Sequence, residues 1–139
     1  MTSPKVASRS SAPARVALSA LLLAGLAACS TAPAEPLGPT YVVFFTPFSA
    51  DLDDAALGVI ADAGQAAQAA PGHRVVVAGY ADRVGSTEAN QTLSKLRAQV
   101  VADRLAARGV DRGRIRLRPK GSVGGDPGVE SRRVEVDIY

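Results

Sequence analysis

The sequence lacks the side chains on which most metal and thiol chemistry depends. It contains one cysteine, Cys29, and one histidine, His73, among 139 residues. A disulfide within the chain is therefore impossible, and a site built from cysteine and histidine would be short of ligands. No nucleophile stands beside a recognisable base either. The sequence predicts a protein that is not an enzyme and that holds no metal and no cofactor.

An excess of charge of one sign is also missing from most of the chain. Residues 1–28 contain three basic side chains, Lys5, Arg9 and Arg15, and no acidic one. With 16 basic and 13 acidic residues in all, residues 29–139 hold 16 − 3 = 13 basic and 13 acidic side chains. Nucleic acids are bound by a surplus of cations. The balance argues against a nucleic-acid partner.

A single apolar run stands near the N-terminus, and it is short. Val16–Ala28 supplies thirteen apolar or small residues behind the basic region. A helix that crosses a membrane needs roughly 20 such residues. The pattern is typical of a secretory signal peptide over residues 1–28. An uncleaved membrane anchor is the alternative.

The sequence LAAC at residues 26–29 resembles the lipobox of bacterial lipoproteins. By that resemblance, Cys29 becomes the lipidated N-terminus, and Ser30 after it favours the outer membrane, with the rest of the chain in the periplasm. Several acyl chains, at ~0.8 kcal/mol per buried CH₂, anchor a protein firmly. The residues that follow contain three prolines and one glycine up to residue 40. Residues 29–40 are therefore predicted to be the lipidated cysteine and a flexible tether.

Residues 41–139 predict an α/β sandwich of order β-α-β-α-β-β, with two helices packed on a mixed four-stranded sheet. Apolar or alternating β-branched runs indicate the strands, and apolar residues at helical spacing indicate the helices. Asp53 is the expected N-cap of the first helix. The predicted strands are 41–45, 75–78, 114–118 and 133–138; the predicted helices are 54–69 and 87–109, the second with a core-facing stripe of Leu93, Leu96, Val100 and Leu105.

Two segments in the middle of the chain, GYADRVGS at residues 79–86 and NQTLSKLRA at residues 90–98, resemble the OmpA-like peptidoglycan-binding domain. The specific feature is the combination of Asp82, Gly85 and Asn90 with the Leu-Ser and Arg-Ala pairs that follow at fixed spacing. Matches downstream extend the resemblance over residues 41–139.

The resemblance implies a ligand and a binding site. In that family an aspartate and an arginine bind the free amino-acid end of meso-diaminopimelate in the peptidoglycan stem peptide. Carried over, Asp82 accepts the ammonium and Arg97 binds the carboxylate, for which the planar guanidinium is well suited. Asn90 lies seven residues before Arg97, two helical turns, so both share one helix face. The implied ligand-binding residues are Asp82, Arg97, Asn90, Gly85, Leu93 and Tyr80. Arg132, which with Arg133 matches the family's closing strand, is expected to border the site.

Each of these residues also has a purely structural interpretation. Asp82 and Arg97 form a salt bridge between loop and helix in the alternative reading. Asn90 either binds ligand or bridges the loop, and Tyr80 either lines the site or packs in the core. The basic row Arg114, Arg116, Arg118 and Lys120 is interpreted as a solvated strand face that discourages edge pairing, and attraction to anionic wall or lipid groups is the weaker alternative.

The chain departs from the family pattern at several points near the site. Ala81 stands where threonine is usual, and Ser131 stands where asparagine is usual. The connection over residues 121–130 is shorter than usual and rich in glycine. These departures concern affinity and selectivity rather than the fold.

Two functions remain open from the sequence. The first is an outer-membrane lipoprotein that binds peptidoglycan non-covalently through diaminopimelate and so tethers the membrane to the cell wall. The second is an interaction protein of the Tol–Pal type, whose main role is to bind a periplasmic protein. A wall hydrolase that uses Asp82 in a carboxylate pair is the least favoured reading.

Overall fold

The computed structural model describes residues 34–124 and 128–139. The predicted signal peptide, Cys29 and residues 125–127 of the glycine-rich connection lie outside the described residues. No helix in the described ranges is both long and apolar enough to cross a membrane. The predicted order β-α-β-α-β-β is confirmed. The elements are β1 (Tyr41–Phe44), α1 (Asp54–Ala69), β2 (Val75–Ala81), α2 (Thr87–Ala107), β3 (Ile115–Ser122) and β4 (Arg133–Ile138).

The four strands form one mixed sheet in the order β1-β4-β2-β3. β4 is antiparallel to both β1 and β2, whereas β2 and β3 are parallel. β2 is therefore an interior strand, which explains its nearly continuous apolar sequence. Val75 and Val77 join the core beneath the helices. The alternate residues of each strand point to the opposite side of the sheet, called here the outer face; its members include Val76, Ala78, Tyr80, Arg118, Lys120, Glu135 and Asp137.

The first helix begins and ends where the sequence predicts. The Asp53 carboxylate accepts a hydrogen bond from the Ala56 amide at 2.7 Å, so the predicted N-cap is confirmed. Ile60, Ala63 and Ala67 are fully buried against the sheet.

The predicted apolar stripe of α2 is wrong at Leu96, which is 50% exposed. The buried face of α2 instead carries Asn90, Ser94 and Arg97 in its first half, followed by apolar residues that include Val101 and Leu105. Polar side chains occupy this face because they bond to loops at the end of the sheet, as described below. With these polar residues on the buried face of α2, Leu96 lies on the exposed face.

Gly79 allows α2 to lie directly against β2. A Cβ atom at position 79 would lie 2.0 Å from the Ser94 carbonyl oxygen. Only glycine permits such a close approach of helix backbone to strand. The contact fixes the second and third turns of α2 over the end of β2, where the candidate site lies.

The predicted basic row on β3 is wrong at its first member. Arg114 precedes the strand and turns inward, where its guanidinium donates to the carbonyls of Ala67, Ala70 and His73. It thereby satisfies carbonyl groups at the C-terminus of α1. Arg116, Arg118 and Lys120 are exposed, as predicted.

Part of the predicted tether contacts the sheet. The Leu37 amide donates to the Ile138 carbonyl at 2.8 Å. The Thr40 hydroxyl donates to the Asp137 carboxylate at 2.6 Å. The chain therefore meets the domain at the C-terminal end of β4, beside the N-terminal end of β2.

Candidate functional site

Asp82 is a buried carboxylate at the exit of β2. The residue is 8% exposed. One carboxylate oxygen accepts a hydrogen bond from the Val84 amide at 3.0 Å, which closes a local turn. The other lies 3.5 Å from Arg132 Nη1, a separation longer than a good hydrogen bond. In this structure the ion-pair partner of Asp82 is therefore Arg132, and that pair is loosely closed.

Arg97 is fully buried, and its guanidinium binds backbone carbonyls. Nε donates to the Ser49 carbonyl at 2.8 Å. Nη1 donates to the Tyr80 carbonyl and Nη2 to the Thr46 carbonyl, each at 3.0 Å. The guanidinium carbon lies 5.1 Å from the centre of the Phe45 ring. Arg97 thus joins α2, the exit of β2 and the β1–α1 loop around one positive charge.

The buried charge of Arg97 is not neutralised by a direct ion pair in the described residues. Burial lowers the pKa of the Arg97 guanidinium, the nearby Asp82 carboxylate raises it, and Arg132 lowers it. Desolvation is the largest of these influences because Arg97 is out of contact with water. An anion brought next to Arg97 and Arg132 would reduce the cost of holding two cations close together.

Asn90 carries an unused hydrogen-bond donor. The residue is 4% exposed, and its Nδ2 has no partner among the described residues. Its Oδ1 faces Gly85, where an added Cβ would lie 3.8 Å from that oxygen. Gly85 has a φ of +104°, a conformation suited to glycine, so it shapes the loop that covers Asn90. A buried donor without an acceptor is costly unless something binds it.

Ser94 ties this region to the end of β3. Its hydroxyl donates to the Gln91 carbonyl and accepts from the Gly121 amide, both at 2.9 Å. Asn90, Ser94 and Arg97 therefore share the buried face of α2, as the seven-residue spacing predicts.

Tyr80 and Leu93 hold different positions from the three residues above. The Tyr80 carbonyl accepts from Arg97, but its side chain lies on the outer face and its hydroxyl donates to Glu135 at 2.9 Å. Burial, followed by this hydrogen bond, raises the pKa of Tyr80 to about 12. Tyr80 thus contributes backbone to the Arg97 environment and its ring to another surface. Leu93 is half-buried on α2.

Arg132 is the residue whose importance the sequence reasoning understated. Its side chain, 18% exposed, lies between Asp82 and the β1–α1 loop, where Nε donates to the Phe45 carbonyl at 3.3 Å. The sequence placed it only at the border of the site. The match of Arg132 and Arg133 to the family's closing strand was the available signal in the sequence.

The chemistry of this end of the domain is that of a binding site. One buried carboxylate, two guanidinium groups and one unused amide donor suit a small ligand that carries both charges. Among the described residues no group of three or more carboxylate, histidine or cysteine side chains lies close enough to hold a metal ion.

Comparison with known proteins identifies the same family that the two motif segments resemble. The model of the OmpA family matches residues 44–135. Outer membrane protein A of Klebsiella pneumoniae is 52% identical over 46 residues, which are 33% of this chain and 13% of that protein. The chain therefore spans a small part of the length of the curated relatives it matches.

Solved structures share the fold. The peptidoglycan-associated lipoprotein of Burkholderia pseudomallei superposes with a TM-score of 0.66 at 22% identity, over 71% of this chain and 90% of that one. The OmpA-like domain of FopA1 from Francisella tularensis gives a TM-score of 0.64 at 26% identity, over 70% of each chain.

Fold and site together define a non-enzymatic binding domain, built as two helices on one face of an open mixed sheet. The family model that matches residues 44–135 shows to which family this domain belongs. The chain belongs to the OmpA family, and its described residues form an OmpA-like domain.

Proposed function

We propose that this protein is an outer-membrane lipoprotein that binds peptidoglycan through the diaminopimelate of the stem peptide and so tethers the membrane to the cell wall. The observation that carries the proposal is the group formed by Asp82, Arg132, Arg97 and Asn90. It offers an anion, two cations and an unused buried donor within one end of an OmpA-like domain.

The loose Asp82–Arg132 pair supports an exchange of partners on binding. The ligand ammonium replaces Arg132 at the Asp82 carboxylate, and Arg132 turns to the ligand carboxylate. The existing separation of 3.5 Å is longer than a good hydrogen bond, and the incoming ammonium compensates the buried Asp82 carboxylate as Arg132 leaves it. The ligand carboxylate is held by Arg132 and by the positive charge of Arg97, and it also supplies the acceptor that Asn90 Nδ2 lacks.

The position of the chain entry supports the tethering role. Asp82 follows the C-terminal end of β2, whereas Leu37 bonds to Ile138 near the N-terminal end of that strand. A strand of seven residues, the length of β2, spans ~23 Å at 3.3 Å per residue. Lipidation at Cys29 would therefore place membrane and wall ligand at opposite ends of the domain.

Calorimetric titration with a stem peptide that contains meso-diaminopimelate tests the binding site, with the lysine-containing peptide as the ligand control. Asp82→Asn keeps an oxygen for the Val84 amide and removes the charge, and circular dichroism verifies that the variant is folded. We expect a loss of affinity of roughly ten- to a hundredfold, the range of one charge-assisted contact. Asp103→Asn, at an exposed ion pair on α2, is the matched control and should bind as the wild type does. Equal affinity of the Asp82→Asn and wild-type domains would overturn the proposed site.

A Tol-type periplasmic protein is the second candidate partner, and one observation favours it. Apolar side chains are exposed at this end of the domain, with Phe48 71% and Val129 51% exposed. Val129 and Phe44 line a hollow of about 470 Å³ together with Arg132. If a protein covers this hollow, a saturating stem peptide should compete with it in pull-down from a periplasmic extract. Capture that the stem peptide leaves unchanged would separate the protein surface from the wall site.

A further inference from the structure

The outer face of the sheet carries a second polar surface that the proposed wall site does not use. A solvent-open hollow of about 390 Å³ lies there, lined by residues of three strands and by Ala34 of the N-terminal segment. Its charged members are Arg74, Arg118, Lys120, Glu135 and Asp137.

The acidic side chains of this surface already have partners. Glu135 forms an ion pair with Arg133 at 2.7 Å and accepts the Tyr80 hydroxyl. Asp137 accepts the Thr40 hydroxyl. Arg133 therefore compensates the charge of Glu135, whereas the neutral Thr40 hydroxyl leaves the charge of Asp137 in place. The charged lining of the hollow still has a cationic excess, because Arg74, Arg118 and Lys120 outnumber Asp137.

The basic side chains of β3, in contrast, have no carboxylate partners among the described residues. The side chains of Arg118 and Lys120 are exposed, and within the described ranges neither side chain has a hydrogen bond or an ion pair. Arg116 on the same strand donates only to the carbonyls of Gly113 and Ile115, so its charge is also not balanced by a carboxylate. The β3 edge of the outer face is therefore a cationic strip without internal counter-ions.

The N-terminal segment places this strip near the proposed lipid anchor. Ala34, which lines the hollow, follows Cys29 by five residues. Five residues span at most roughly 18 Å of extended chain. If Cys29 carries lipid, Ala34 at the border of the hollow lies within that distance of the surface of the bilayer. Electrostatic attraction extends about 8–10 Å at physiological salt, so a small movement of the domain brings the strip within range of the headgroups.

We propose that the outer face docks on the anionic phosphate headgroups of the membrane that anchors the chain, with Arg118 and Lys120 as the principal contacts. The proposal rests on the lipid anchor of the proposed function. Each cation near an anionic surface strengthens docking about fivefold. Docking by this face leaves Asp82, Arg132 and the helix layer open to the cell wall.

The two lysines at residues 95 and 120 provide a built-in test. Lys120 lies on the outer face, whereas Lys95 is exposed on α2 in the helix layer. The lipidated full chain, purified from membranes, is reconstituted in vesicles of neutral phosphatidylcholine or of phosphatidylcholine with phosphatidylglycerol. Flotation reports the anchor, and amine acylation read by mass spectrometry reports docking.

We expect acylation of Lys120 to fall at least about threefold in anionic relative to neutral vesicles, with Lys95 unchanged. Arg118→Glu should abolish this protection, and Arg104→Glu on α2, an equal change of charge, should keep it. Protection of Lys120 that is absent, equal in both vesicles or shared with Lys95 would overturn the docking proposal. A chain that fails to float even with neutral vesicles would instead contradict the anchor.

Discussion

Arg97 shows how one residue can hold a site together before any ligand binds. Thr46 and Ser49 belong to the β1–α1 loop and Tyr80 belongs to β2, and each of the three carbonyls accepts from a different nitrogen of the same guanidinium. Planar geometry and three donor nitrogens make this possible, and a lysine ammonium cannot reproduce it. Arg97 therefore positions the loops around Asp82 as well as supplying positive charge.

Arg97→Lys should destabilise the domain by about 2–4 kcal/mol, because at least one buried carbonyl is left without a donor and a compact charge remains buried. Urea unfolding followed by circular dichroism measures the change. Arg104→Lys, an exposed position on the same helix, is the control and should stay within about 0.5 kcal/mol of wild type. A loss of unfolding free energy below about 1 kcal/mol for Arg97→Lys would contradict the structural role of the Arg97 guanidinium.

Tyr80 should report its environment through its ionisation. Its pKa is raised from 10.0 to about 12 in the folded protein, so the folded state holds the phenolic proton more tightly than the unfolded chain. The stabilising contribution is complete below pH 10 and is lost as the pH rises through 12. Absorbance titration of wild type minus Tyr80→Phe should give a midpoint near 12. A midpoint near the ordinary value of 10.0 would show that in solution Tyr80 is neither buried nor bonded to Glu135 as it is in the structure.

At the scale of elements, the close contact of α2 with β2 decides where the site lies. Gly79 permits the contact, and the buried polar face of α2 then meets the loops after β1 and β2. The same helix carries Asn90, Ser94 and Arg97, so a shift of α2 would displace all three from their neighbours.

Gly79→Ala should destabilise the domain by about 1–3 kcal/mol or more, since the new methyl group would overlap the Ser94 carbonyl and force α2 away from the sheet. The matched control is Gly58→Ala on α1, where nothing lies within 4 Å of the added Cβ. That change should stabilise the helix by about 0.5–1 kcal/mol. Thermal unfolding of both variants distinguishes the effects, and equal shifts would contradict the close approach of α2.

Many of the helices and strands could be predicted from the sequence because their sequence signals are local. The bounds of α1 follow from its cap and its apolar spacing, and the position of β2 follows from its valines. The outward position of Leu96 and the inward turn of Arg114 were not accessible. Both depend on carbonyl groups of distant segments, which attract buried donors to one face and leave an apolar side chain outside.

Only those features of the site that depend on local sequence signals could be predicted. The shared face of Asn90 and Arg97 follows from helical periodicity. The Asp82–Arg132 pair joins residues fifty positions apart, and the direction of the Tyr80 side chain depends on the register of β2 in the sheet. Contacts that the topology creates between distant segments leave no periodic trace in the chain.

At the scale of the whole molecule, the positions of the candidate wall site, the N-terminal segment and the outer face support the proposed function. The candidate wall site lies at the end of β2 beneath α2, and the N-terminal segment meets the sheet near the other end of that strand. The outer face, with its unpaired cations on β3, lies on the side of the sheet opposite the helices, and its hollow borders the N-terminal segment at Ala34. A domain built this way can hold a wall ligand while it remains close to the membrane.

The most direct test of tethering is a bridging measurement between membrane and wall. Vesicles carrying the full lipidated chain are mixed with purified diaminopimelate-containing sacculi, and vesicle lipid that sediments with the sacculi is quantified. Wild-type vesicles should sediment with the sacculi and be released by free stem peptide, and Asp82→Asn vesicles should lose most of this capture while the Asp103→Asn control retains it. Equal capture by Asp82→Asn and wild-type vesicles, or no capture by wild type, would contradict the account.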